Sequence, residues 1–67
     1  MKITGNILNV ELVEVDKKNN INVFEVLTDN SSSGRIYLYN EEKIPQKGES
    51  IVAISDSDGN ILNYSIN

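Results

Sequence analysis

The chain has 67 residues, one domain's worth, with no cysteine, no histidine and a net charge of −4. That composition excludes disulfides and thiol chemistry, and it removes the usual transition-metal ligand and the usual acid–base group near neutral pH. A chain so short buries only about 60% of the surface its unfolded form exposes, so its core is marginal and association between copies is the most available reinforcement.

The elements follow in chain order. Met1-Lys2 leads straight into Ile3-Thr4-Gly5 without an apolar stretch of signal-peptide type. A long first strand is predicted over about Lys2 to Val15. Ile3 and Ile7 share one parity, Leu8, Val10 and Leu12 the other, and Val13 and Val15 return to the first. A period of two with two phase flips predicts a strand bent by bulges near residues 7–8 and 12–13. Gly5 fits a bend or a close backbone approach.

Asp16-Lys17-Lys18-Asn19-Asn20 reads as a turn into a second strand over about Ile21 to Thr28. In that strand Val23 and Leu27 lie on one face, Phe24 and Val26 on the other. With Val23 and Leu27 assigned to the core, Phe24 and Val26 become a surplus apolar pair. Residues 29–34 (Asp-Asn-Ser-Ser-Ser-Gly) have no apolar anchor and predict a mobile tip. The third strand, Arg35 to Tyr39, alternates cleanly, with Ile36 and Leu38 on one side and Arg35, Tyr37 and Tyr39 on the other.

In the segment from Asn40 to Ser50, Pro45 presets a turn, Gly48 relieves its exit and Ile44 is the expected core anchor. Asp58-Gly59 then signals a two-residue hairpin loop. That loop places Ser55 opposite Leu62, Ala53 opposite Tyr64 and Ile51 opposite Ile66, five of the six apolar and all on one face. Val52, Ile54 and Ile61 fall on the other face as a second surplus.

Five short strands with turn chemistry between them make this an all-β chain, 1–67, forming a small five-stranded, strongly curved antiparallel sheet or barrel. In outline the long bent first strand resembles an OB-like layout, with an SH3-like barrel as the alternative.

The chemistry-bearing constellations are few. Asp56-Ser57-Asp58-Gly59-Asn60 starts like a calcium loop, but its twelfth position is Asn67 rather than a bidentate Glu. Ser31-Ser32-Ser33 lacks a histidine base. Glu41-Glu42 reads as a solvated surface. An enzyme would need a metal held by carboxylates alone, with Asp56, Asp58 and Glu49 as candidates, so the expectation is a protein that is not an enzyme, with no cofactor and no metal.

Arg35, Tyr37 and Tyr39 form the most informative set, with Phe24 beside them as a binding surface. Tyr and Arg are enriched at protein interfaces; single-stranded nucleic acid binders also pair aromatic platforms with cations. The acidic field, with no basic arm or groove, disfavours a phosphate backbone. The expected function is therefore protein–protein interaction and self-association. The expected partner is a protein, with a homodimer seam at Val26, Val52, Ile54 and Ile61; single-stranded nucleic acid is the alternative. No apolar run reaches the roughly 20 residues of a membrane span, and the expected location is cytoplasmic. Ten Asn and nine Ile, both with AT-rich codons, fit an AT-rich genome such as that of a low-GC bacterium or its phage, and the compact acidic surface fits a phage or mobile-element protein that modulates a host protein.

Overall fold

A computed structural model describes all 67 residues. It is all-β, with β1 (Lys2–Asp16), β2 (Ile21–Thr28), β3 (Ser33–Tyr39), β4 (Ser50–Ser55) and β5 (Ile61–Ile66). The strands form one sheet in the order β3-β2-β1-β4-β5, and every neighbouring pair is antiparallel. No helix is long and apolar enough to cross a membrane.

The length of β1 organises the sheet. Residues Lys2–Asn6 pair with β4, and Ile7–Asp16 pair with β2. The change of partner coincides with the first of two register shifts, between Ile7 and Asn9; the second lies between Leu12 and Glu14. Both fall where the apolar parity flips. Leu8 and Val13 are the extra residues, and both are exposed. A bulge bends its strand and increases local twist. Two of them in one strand let a single sheet curl over its own inner face, and Ile3, Ile7, Phe24, Val26, Ile36, Leu38, Ile51 and Ala53 meet there in one cluster.

The sheet does not close into a barrel. Its end strands approach at one parallel bridge, Arg35 to Asn60, where the Arg35 N–H donates to the Gly59 carbonyl at 2.8 Å. Gly34 makes this approach possible. A Cβ there would stand 2.5 Å from Ile3 Cδ1 and 2.8 Å from Ile61 Cγ1.

The structure inverts the expected faces of β2. Phe24 and Val26 are core residues, at 9% and 0% exposure, whereas Leu27 is 41% exposed. The neighbouring strands decide this. Phe24 stands opposite Ile36 and Leu12, and Val26 opposite Gly34 and Val10. The inward row of β3 thus selects the Phe24 parity. Val23 is buried as well, on the outer side opposite Tyr37. Phe24 is therefore unavailable as a binding surface and Val26 as a seam. Ile61 is also partly buried against the core.

Two loop expectations change too. Pro45, not Ile44, is the buried residue of the β3–β4 connection; Ile44 is 42% exposed. The β4–β5 hairpin keeps its expected register away from the turn, with Ile51 opposite Ile66 and Ala53 opposite Tyr64. Near the turn it shifts by one. Ser55 pairs with Ile61, and Leu62 is left as an exposed extra residue.

Candidate binding face

The alternation of β3 sends Gly34, Ile36 and Leu38 inward and Arg35, Tyr37 and Tyr39 outward. Tyr37 and Tyr39 are 49% and 58% exposed, and Arg35 is half-buried. Strand pairing sets their surroundings. Arg35 shares a row with Glu25 and Glu11, Tyr37 with Val23 and Glu14, and Tyr39 with Ile21 and Asp16. One arginine thus stands among four carboxylates, and the face is acidic.

The polar ends of Arg35 and Tyr37 are held by the β4–β5 turn. Asn60 Oδ1 accepts from Tyr37 Oη at 2.9 Å and from Arg35 Nε at 3.2 Å. Arg35 Nη2 also donates to the Asp58 carbonyl. The sequence does not single out Asn60; the turn motif marks it only as the residue after Gly59.

Asp56 in turn fixes Asn60. Its Oδ1 accepts the backbone N–H groups of Asp58 and Asn60, each at 2.9 Å, and its Oδ2 accepts from Asn60 Nδ2 at 3.2 Å. This side-chain cap, with Gly59 at φ +84°, makes a three-residue loop where two residues were expected, and the Leu62 bulge restores the register beyond it. The hydrogen bond from the Asn60 backbone, then that of the Asn60 side chain, the Asp58 N–H and nearby Arg35 hold the Asp56 carboxyl below the usual range.

A folded-state value below the unfolded one means that the ionised carboxylate stabilises the fold above the unfolded value of about 4. That stabilisation disappears as pH falls through the lower folded-state value. Asp56→Ala is therefore expected to lower the melting temperature at pH 7, and the gap to wild type should close in strong acid. Melts across that range check it; a gap independent of pH would refute the assignment.

The remaining surface carries two shallow depressions. One of about 230 Å³ is lined by Lys43, Pro45, Glu49, Tyr64 and Ile66. Burial, with Glu42 adding, pushes the Tyr64 phenol above its usual range. The other, about 190 Å³, lies over Val52, Ile54, Asn63 and Ser65, and Val52 and Ile54 are exposed as expected. The exposed apolar surplus also includes Leu8, Leu12, Val13, Val15, Leu27 and Leu62, none of which the sequence pattern assigns to a surface. No group of three or more carboxylates, Asp56, Asp58 and Glu49 included, is gathered into a potential metal site. No family model, curated protein or solved structure matches this chain.

Proposed function

We propose that this chain is a non-catalytic module that binds a protein on the outer face of β2 and β3. Tyr37 and Tyr39 form the apolar contact, and a basic surface of the partner meets Glu11, Glu14, Asp16 and Glu25. The observation that carries this reading is two half-exposed tyrosines on a regular strand, one with its hydroxyl anchored to Asn60, inside an acidic field. Rigid, partly apolar tyrosines suit interface centres, and complementary charge steers the encounter.

Truncating an interface tyrosine of this kind costs about 2 kcal/mol, roughly 30-fold in Kd. With a partner captured from the native host, Tyr37→Ala is expected to weaken binding by about that factor, and added salt should weaken the wild-type complex further. An unchanged Kd in both Tyr37→Ala and Tyr39→Ala would overturn the reading.

A second reading is OB-type binding of single-stranded nucleic acid through Arg35, Tyr37 and Tyr39. What supports it is the strand order together with the parallel approach of β3 to β5, which resembles a partly open OB barrel. The row Arg35–Glu25–Glu11 opposes it, because its charge repels phosphate. Fluorescence titration with a short oligonucleotide at low salt separates the two. Salt-sensitive binding lost in Tyr37→Ala would favour nucleic acid.

A further inference from the structure

The two edges of the sheet are defended differently. On β3, the Arg35 N–H is taken by the Gly59 carbonyl. The Tyr39 N–H donates to Glu42 Oε1 at 3.1 Å, and the Tyr39 carbonyl accepts from the Glu42 N–H at 3.0 Å. Between these caps only Tyr37 keeps its backbone groups free along that edge.

On β5, Ser50 and Asn67 exchange two hydrogen bonds, at 3.1 and 2.9 Å. Hydrogen-bonded and non-hydrogen-bonded pairs alternate along an antiparallel ladder. Ser65 and Asn63 therefore turn their backbone groups toward β4, and Tyr64 and Ile66 turn theirs away from it, toward the open edge. No loop or side chain takes a hydrogen bond from them, and Lys43, Pro45 and Glu49 of the β3–β4 connection stand beside them around a depression. The stretch Ile61-Leu62-Asn63-Tyr64-Ser65-Ile66-Asn67 contains no charge and no proline, so it lacks the usual devices that keep an edge from pairing.

We propose that this edge pairs with the β5 edge of a second copy, antiparallel and about a two-fold axis at Tyr64. In that register each Tyr64 exchanges two hydrogen bonds with its counterpart, and Leu62 of one copy meets Ile66 of the other. Leu62 is 68% exposed in the single chain, and the pairing covers it. Charge selects the occupant. Residues 61–67 carry no charge, so two copies meet along β5 without opposing like charges within the strand pair, whereas a charged peptide finds no counter-charge on that strand. A 67-residue chain without cysteine also gains stability from association. The Tyr37 face meets this end of the chain only at Asn60, the residue before β5, and the two readings are tested by different residues, so either can fail alone.

Asn63 and Ser65 are exposed and stand opposite each other across the proposed seam. Two variants test the pairing by sedimentation: Asn63→Lys with Ser65→Lys, and Asn63→Glu with Ser65→Glu. Like charges directly opposite destabilise a strand pair. The wild type should sediment as a dimer at high micromolar concentration, each variant alone as a monomer, and an equimolar mixture of the variants as a dimer again. The Tyr64 and Ile66 amides should gain exchange protection with concentration in the wild type. A monomeric wild type, or dimers persisting in both variants, would overturn the proposal.

Discussion

Phe24→Ala is expected to destabilise the protein by about 3–5 kcal/mol, and Leu27→Ala by less than about 1 kcal/mol. A 67-residue domain holds only about 3–10 kcal/mol in total, so the first change should unfold much of the population while the second leaves a normal melt. The contrast follows from the register of β2. Phe24 pairs with Leu12 and Ile36 on the neighbouring strands and is buried in the cluster that joins four strands, so truncation leaves a cavity there. Leu27 stands between Asn9 and Ser33 and already meets solvent. Urea unfolding of both variants at one fixed protein concentration checks this, the concentration being fixed because association would add stability. A larger loss from Leu27→Ala would mean that β2 presents its other face to the core.

That inversion marks the limit of what was legible in the sequence. β3 and β4 alternate, so their inward residues could be read directly. The bulges of β1 were legible because each one reverses the apolar parity. β2 is apolar on both faces at its centre, and no local pattern separates Val23 and Leu27 from Phe24 and Val26; the pairing with β3 does so. The β4–β5 register was correct at Ala53 and Ile51, where the hydrophobic match holds it, and failed at Ser55, where a carboxylate that caps the turn sets the loop length. Asn60 was illegible as a site residue because its partners, Arg35 and Tyr37, lie on a strand brought near only by the curl of the whole sheet. The apolar surface on the far half of β1 has a similar origin. β4 covers β1 only as far as Asn6, and Leu12, Val13 and Val15 extend beyond it.

Gly5→Ala is the second change with a large expected effect, about 1–3 kcal/mol. Gly5 has φ +125°, a region that L side chains rarely adopt, and an added Cβ would overlap Asp29 Oδ1 and lie 3.2 Å from Asn30 Nδ2. Those atoms belong to the β2–β3 connection, the stretch expected to be mobile, which is instead latched onto β1. Asp29 Oδ1 accepts the Asn6 N–H at 2.9 Å, the Asn6 carbonyl accepts the Asp29 N–H at 2.9 Å, and Asn30 Nδ2 donates to the Thr4 carbonyl at 3.1 Å. The latch needs a residue without a side chain at position 5. Gly48 supplies the control, since it also has positive φ (+94°) but nothing lies within 4 Å of the point where a Cβ would stand. Gly48→Ala should therefore cost only the backbone term, about 1 kcal/mol. In an Asp29→Ala background the overlap is gone, and Gly5→Ala should cost about as much as Gly48→Ala. The double-mutant cycle measures that coupling directly. Strict additivity of Gly5→Ala and Asp29→Ala would show that the strain at Gly5 is purely conformational and that the loop is held by its other bonds to Thr4.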